Sequence, residues 1–285
     1  MFLTASYFQY FQRFNTMLLS EALLYFRIIY TVVFLTVFTI YDVKYRDVPD
    51  KLVYATLTVS IVLFLTLFAL YFDSVEFILF LIYLVFSLVA GLGVFLLIFK
   101  LGYIGKADVF IIAELTLLFP YRDIYSLNII GRGEAVHLPP VIPIILYSNI
   151  LSLMFIIFKS TVFAIKYRKF LPRELPIHKR LLLVVFGRPM SIAEYLKSKH
   201  YYPLTLFRIV EGRVVKTYRL TFHVEAEDHW VHQNELKKLI DNGFVNPNDY
   251  IWVTYGVPYM LPLLITIILV VLVGDYPLLY LFKLI

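Results

Sequence analysis

Long apolar runs recur along this chain, and they restrict its fold more than any other feature of the sequence. The runs long enough to cross a bilayer as helices are roughly Ala22–Tyr41, Leu52–Phe72, Val75–Phe99, Pro140–Phe158 and Gly256–Gly274. A helix of about 20 apolar residues crosses about 30 Å of hydrocarbon. A further run, Asp108–Phe119, stops at Pro120 and is shorter than one crossing requires. It either continues past the proline or begins inside a protein-lined cavity.

The composition supports a membrane protein of the all-α polytopic class, with about six transmembrane helices. Apolar residues make up 61% of the 285 residues and charged residues 16%, whereas soluble domains carry about 25% charged residues. Because the chain has no cysteine, it has no disulfide framework, thiolate nucleophile or cysteine-ligated zinc. In a membrane protein, the basic residues behind the formal charge of +6 indicate membrane topology first, and they are not evidence of nucleic-acid binding. We therefore expect the lipid bilayer as a partner, and no nucleic acid, cofactor or metal.

One region, about residues 166–250, is not membrane-like. Its β-rich runs are Leu181–Phe186, Leu204–Val210 and Val214–Val224, and its helical runs are Ser191–His200 and Trp230–Ile240. Asn242-Gly243 is a turn signal. The pattern predicts a small α+β domain inserted before the last helix. The chain then divides into transmembrane helices one to five over residues 1–165, this domain over 166–250, and the last helix with a tail over 251–285.

The distribution of lysine and arginine predicts the orientation in the membrane. With the short run Asp108–Phe119 counted as the fourth span, the loops after the first, third and fifth spans carry Lys44, Arg46, Lys51, Lys100, Lys106, Lys166, Arg168, Lys169 and Arg173. The loops after the second and fourth carry Arg122 and Arg132. By the positive-inside rule, the first set and the α+β domain are cytoplasmic and the N-terminus is outside. Asp42 and Asp108, separated by two crossings, then lie at the same cytoplasmic face.

Charged and small residues inside the apolar runs carry three further expectations. Arg27, near the start of the first run, is expected to extend outward to the membrane surface. Gly91 and Gly93 are expected to permit close helix packing. Glu114 lies six residues beyond Asp108, on roughly the opposite helix face. An acid inside the membrane is a functional candidate, and a polar packing contact explains this one equally well.

Asp42 and Asp108 are the residues that best account for chemistry. Taken singly, each is explained by a helix cap or a hydrated loop. Taken together at one face, they form a pair of carboxylates that cannot both ionise cheaply, so one holds a proton while the other does not. Such a pair can activate water against a peptide carbonyl and then protonate the departing amine.

The sequence around both aspartates resembles the motifs of the type IV prepilin peptidases. Asp42 is followed by basic residues and then by Val48-Pro49-Asp50, similar to the family's aliphatic-Pro-Asn/Asp step. The segment Gly105-Lys106-Ala107-Asp108 resembles the second motif, Gly-x-Gly-Asp, with Ala107 in place of the second glycine. The archaeal branch, the preflagellin and prepilin peptidases, is the closer match because this chain lacks the cysteine-rich domain of many bacterial members.

This resemblance implies an aspartic endopeptidase whose catalytic dyad is Asp42 and Asp108. Pro49, Gly105, Lys106 and Ala107 belong to the motif segments that a substrate approaches. The implied substrate is a flagellin or pilin precursor with a short basic leader, cleaved at the cytoplasmic membrane surface just before its hydrophobic helix. Nothing in the chain resembles a methyl-donor site, so peptidase activity alone is expected.

Three alternatives remain open from the sequence. Presenilins and signal peptide peptidases share the order of motifs and a proline-bearing last span, where Pro258 and Pro262 would shape a groove for an extended substrate. A small proton- or cation-coupled transporter would use Asp42, Asp108 and Glu114 as a path. A scaffold without catalytic activity would use the α+β domain to recruit partners.

Overall fold

The computed structural model describes residues 2–45, 47–102, 104–130, 137–172, 174–199, 201–210, 213–220, 227, 229–254 and 259–282. The chain forms two compact units, which are described separately. The first comprises residues 1–149 and 258–285, and the second comprises residues 150–257. The α+β domain was expected over 166–250, whereas the second unit also takes in the end of a long helix and a strand that runs to Thr254.

Helices make up most of the described residues. They are α1 (Phe2–Tyr45), α2 (Asp50–Phe72), α3 (Phe77–Ser87), α4 (Val94–Lys100), α5 (Lys106–Leu118), α6 (Val141–Lys166), α7 (Ile177–Phe186), α8 (Ile192–Lys197), α9 (His229–Asp241), α10 (Met260–Val273) and α11 (Tyr276–Leu281). A π-helical segment, Leu88–Gly93, joins α3 to α4 so that the two run as one apolar helix. Short 3-10 helices lie at Arg122–Leu127 and Arg168–Phe170.

In the part of the chain that the structure describes, four helical segments are long and apolar enough to cross a membrane. They are Leu18–Tyr45, Asp50–Phe72, Phe77–Lys100 and Val141–Lys166. The chain is therefore a multi-pass membrane protein. Two further apolar helices, α5 and α10, have 13 and 14 residues and are shorter than one crossing needs. The count of six spans stays a prediction.

Burial inside the first unit explains how α5 and α10 can be short. Helix α5 packs against α2, and α10 packs against α1. Ile111, Leu115, Leu263 and Ile267 are fully buried in the same apolar core. Helix ends that lie below the membrane surface are tolerated where protein rather than lipid surrounds them. The core therefore allows both helices to begin or end within the bundle.

The expectation of close packing is confirmed at Gly91. A Cβ atom built on Gly91 would lie 3.1 Å from both terminal methyl groups of Val141, at the start of α6. That separation is tighter than ordinary van der Waals contact, so a side chain at this position would push the two helices apart. At Gly93 the nearest atom outside its immediate neighbours is the Leu88 carbonyl oxygen at 3.6 Å, which is ordinary contact. The close approach belongs to Gly91 alone of the two.

Arg27 does not extend outward, so that prediction is wrong. Its side chain is fully buried. One guanidinium nitrogen donates to the carbonyl oxygen of Leu118 at 2.7 Å, and another forms an ion pair with Asp123. The last carbonyls of a helix have no partner within the helix, and Leu118 is the last residue of α5. Arg27 therefore satisfies the end of a short helix inside the bundle.

The second unit has an α+β fold. Its strands are β1 (Arg188–Ser191), β2 (Tyr202–Pro203), β3 (Thr205–Val210), β4 (Arg213–Tyr218) and β5 (Tyr250–Thr254). Within the described residues, an antiparallel sheet has the order β1-β5-β2, and β3 pairs with β4 as a hairpin. Met190, Tyr195, Ile251 and Val253 are buried in the core on the sheet.

Several sequence predictions for this unit are confirmed and one is wrong. Strands β3 and β4 and helix α9 lie where strands and a helix were expected, and Gly243 adopts a left-handed φ of 73° at the predicted turn. The run Leu181–Phe186, predicted as a strand, is the second half of α7. It is rich in leucine, a strong helix former, and short apolar runs do not distinguish a strand from a helix by periodicity.

Candidate active site

Asp42 contacts the beginning of α10. It lies near the end of α1, is half-buried, and accepts a hydrogen bond from the backbone N–H of Met260, with an N to Oδ2 distance of 3.3 Å. Met260 is the first residue of α10, where backbone N–H groups lack partners inside the helix and attract negative charge. The carboxylate of the first motif is thus held at the N-terminal end of the last apolar helix.

Asp108 lies in the first turn of α5 and is half-buried. Its Oδ2 accepts a hydrogen bond from the backbone N–H of Gly105 at 3.2 Å, which is one half of a capping box. The capping role that the sequence allowed for this aspartate is therefore real. This hydrogen bond fixes the rotamer of Asp108 at the N-terminal end of the helix. A fixed carboxylate also suits a catalytic site.

Tyr259 directly precedes Met260, the residue that donates to Asp42. Its phenol oxygen lies 2.9 Å from Oγ of Ser148 in α6. Tyr259 could not be singled out from the sequence, because it lies within the run Gly256–Gly274, which was treated as uniform membrane helix.

Lys106 connects the second motif to α2. Its Nζ donates to the phenol oxygen of Tyr54 at 2.8 Å, and it lies over the rings of Tyr54 and Phe110. The same nitrogen is 3.9 Å from Oδ2 of Asp50. Because Asp50 belongs to the first motif, these contacts bring the two motif segments together at the facing ends of α2 and α5.

The remaining motif residues have backbone roles. Pro49 is exposed and occupies the N-cap position of α2, where its carbonyl oxygen accepts the N–H of Leu52 at 2.9 Å. Asp50 is the first helical residue of α2. Ala107 is half-buried and packs against the apolar core.

Glycine is required by backbone conformation at Gly102 rather than at Gly105. Gly102 has a φ of 77°, and its N–H donates to the carbonyl oxygen of Phe99 at 2.8 Å, so it reverses the chain after α4. Gly105 has an extended backbone that any residue adopts. The motif glycine at position 105 therefore does not supply an unusual backbone angle.

The two prolines assigned to a possible groove have different outcomes. Pro262 is buried in the first turn of α10. The N–H groups of a first turn have no acceptor within the helix, so a proline there neither breaks a hydrogen bond nor kinks the helix. Pro258 lies outside the described residues. A groove at this point stays a prediction.

Glu114 is a buried acid held between two helices. It is fully buried on α5, where its two carboxyl oxygens accept hydrogen bonds from the hydroxyls of Thr56 and Ser60 on α2, at 3.0 and 3.3 Å. Tyr30 donates to the carbonyl oxygen of Thr56 at 2.7 Å and completes a polar layer across α1, α2 and α5. The contacts of Glu114 fix the register of α5, and so of Asp108, against α2.

We expect Glu114→Ala to lower the free energy of unfolding by about 2 kcal/mol, because it removes two hydrogen bonds and leaves a cavity. Glu114→Gln keeps the shape and the hydrogen-bonding capacity and should lose less than about 1 kcal/mol. Thermal unfolding in detergent micelles measures both changes. The matched control is Thr58→Ala, which removes an exposed hydroxyl from the same helix, α2. It should leave the free energy of unfolding unchanged. Equal stability of the alanine and glutamine variants would contradict the role.

Comparison with protein families identifies the class of protein. Residues 29–165 match the type IV leader peptidase family, and residues 179–276 match the archaeal Peptidase A24 C-terminus, type II. The first match contains Asp42 and Asp108, and the second contains Tyr259 and Met260. A comparison with individual curated proteins finds no match.

The two matches together extend over most of the chain and define a membrane-bound aspartic protease, a hydrolase. The chain belongs to the type IV leader peptidase family, and the archaeal C-terminal match makes it a peptidase of the prepilin or preflagellin kind. The resemblance drawn from the motifs at Asp42 and Asp108 is thereby confirmed at the level of the family.

Proposed function

We propose that this protein removes short basic leaders from preflagellin or prepilin precursors at the cytoplasmic membrane face, with Asp42 and Asp108 as its catalytic dyad. The observation that supports the proposal is the contact between the two motif segments that carry these aspartates. Lys106, two residues before Asp108, contacts Tyr54 and Asp50 at the start of α2. Asp42 lies eight residues before Asp50 and accepts the N–H of Met260.

The chemistry follows from sharing one proton between two carboxylates. The ionised carboxylate takes a proton from a water molecule as that water attacks the scissile carbonyl, and the protonated carboxyl stabilises the developing oxyanion. A proton then passes to the departing amine, and the carbon–nitrogen bond breaks. Each turnover consumes one water and regenerates the pair, so the step requires no covalent intermediate.

The surroundings of the dyad suit a peptide that arrives from a membrane surface. Ala107 and Gly105 are small, so an extended substrate can approach Asp108 closely. The distribution of lysine and arginine supports a cytoplasmic location for this end of the helices.

The experiment is cleavage of a precursor that joins a short basic leader to an apolar helix, using vesicles that contain the purified protein. We expect one cut immediately before the apolar segment, located by mass spectrometry of both products. The matched substrate replaces the basic leader residues with glutamate and should be cut at least about tenfold more slowly, because basic residues hold the leader on the cytoplasmic side of the membrane and glutamates do not.

The position of the cut also separates the alternatives. A cut within the apolar helix would instead indicate an intramembrane protease of the presenilin or signal peptide peptidase type. Absence of any cut, together with a proton or cation flux across the same vesicles, would indicate a transporter. Either result rejects the proposed leader peptidase function.

A further inference from the structure

Helix α7 has an apolar side that the second unit leaves uncovered. Ile177 is 73% exposed and Leu181 63% exposed, and Leu182, Val185 and Phe186 are also exposed. On the other side of the helix, Leu183 and Val184 are buried with Leu204 and Trp252. At 100° per residue, these exposed apolar residues lie within one half of the helix circumference, which they share with the exposed His178 near the start of the helix.

The contact between α7 and α6 places this helix at a membrane boundary. The hydroxyl of Ser160 in α6 donates to the carbonyl oxygen of Val185 at 3.2 Å. Helix α6 is one of the segments able to cross the bilayer, and no charged residue occurs in it between Val141 and Phe158. Lys159, next to Ser160, is its first charge and marks the end of the hydrocarbon-spanning stretch. The C-terminal end of α7 therefore lies level with the point where α6 leaves the hydrocarbon.

The charges around α7 complement an anionic membrane surface. The basic residues between positions 159 and 180 are Lys159, Lys166, Arg168, Lys169, Arg173, Lys179 and Arg180. The acid in the same stretch is Glu174. Lys166, Lys169 and Lys179 are exposed. Helices that lie in a membrane surface combine an apolar side among the acyl chains with lysine and arginine among the headgroups.

We propose that α7 is an interfacial helix, which lies in the plane of the membrane surface with Ile177, Leu181 and Phe186 among the acyl chains and with the neighbouring lysines on anionic headgroups. The lipid surface then covers apolar area that would otherwise face water, which is favourable in proportion to the area covered. The second unit is thereby attached to the bilayer through α7 as well as through α6.

The absence of cysteine from the chain makes a site-specific test direct. Leu181→Cys is labelled with the fluorophore NBD in the full-length protein, which is reconstituted in vesicles of phosphatidylcholine and phosphatidylglycerol. We expect quenching by nitroxide-labelled lipid and at least about threefold weaker quenching by aqueous iodide than at Val231→Cys. Val231 is the matched control because it is an aliphatic residue on α9 with a comparable exposure of 53%.

Either of two results overturns the proposal. Iodide quenching at position 181 that equals that at position 231 means that the apolar side faces water. Protection from iodide without quenching by nitroxide lipid means that a protein surface, from a second copy or another partner, covers α7. The same label at Ile177→Cys repeats the measurement one turn away, so a local disturbance by one fluorophore does not decide the outcome.

Discussion

Replacing either Asp42 or Asp108 with asparagine should reduce cleavage of the precursor by at least about 1,000-fold, equivalent to about 4 kcal/mol of transition-state stabilisation. Asparagine has nearly the shape of aspartate but can neither take up nor deliver the proton. Its amide oxygen can still accept the N–H of Met260 at position 42, or of Gly105 at position 108. The variants therefore keep the observed contacts and lose the chemistry, which single-turnover cleavage in vesicles measures.

The matched control for both variants is Asp50→Asn. This aspartate lies in the same motif segment, but its side chain is 70% exposed and its contact with Lys106 is 3.9 Å long. An exposed ion pair contributes less than about 1 kcal/mol, so cleavage should change by less than about fivefold. An Asp42→Asn or Asp108→Asn variant that retained half of the wild-type rate would remove that residue from the mechanism.

Glutamate at either position tests the geometry rather than the charge. One extra methylene displaces the carboxylate by more than about 1 Å, and a displacement of that size costs about 100-fold when two groups must act on one water. A transporter that moves protons along Asp42, Asp108 and Glu114 would tolerate the same change, because a proton path needs a carboxylate within reach and not a fixed pair. Retained flux with lost cleavage would therefore separate the two functions.

The elements that could be predicted from sequence are those governed by composition and local pattern. Long uncharged runs define α2 and the α3–α4 helix within a few residues, since the hydrocarbon thickness sets their length. The start of α6 is predicted equally well, but the helix continues eight residues beyond the predicted end at Phe158. The motif residues around Asp42 and Asp108 indicated the family directly. These patterns are local in the sequence, so they can be recognised without knowing which helices pack against each other.

The contacts that organise the candidate site could not be predicted, because they join distant parts of the chain. The hydrogen bond from Met260 to Asp42 spans 218 positions, and nothing in the pattern around either residue specifies it. Tyr259 was hidden for the same reason. The short helices α5 and α10 depend on burial within protein, which an apolar run shares with burial in lipid. Hydropathy alone does not separate these two environments.

Arg27 illustrates the same limit and carries the second large prediction. A single arginine near either end of an apolar run is usually assigned to the membrane surface, because its long side chain can reach the headgroups. Here it is fully buried, pairs with Asp123, and donates to the carbonyl oxygen of Leu118 at 2.7 Å. The deciding partner is the end of α5, which lies 91 positions away in the chain.

Asp123→Ala should lower the free energy of unfolding by about 3–5 kcal/mol, because it leaves the guanidinium of Arg27 buried without its counter-charge. That corresponds to a fall in Tm of roughly 10 °C in detergent micelles. Arg27→Met fills the same space without a charge. The double variant should therefore be more stable than the sum of the two single losses predicts, by about 1–3 kcal/mol.

The matched control is the partly exposed ion pair of Arg122 with Glu76, in which the nitrogen and oxygen are 3.6 Å apart. Water already solvates both of its charges, so Arg122→Ala should cost less than about 1 kcal/mol. If Asp123→Ala were equally mild, water would have to reach Arg27 and the buried pair would not hold α5 in place. Because Asp108 opens the helix that Arg27 terminates, a true loss of this pair should also slow cleavage, and Arg122→Ala should leave the rate unchanged.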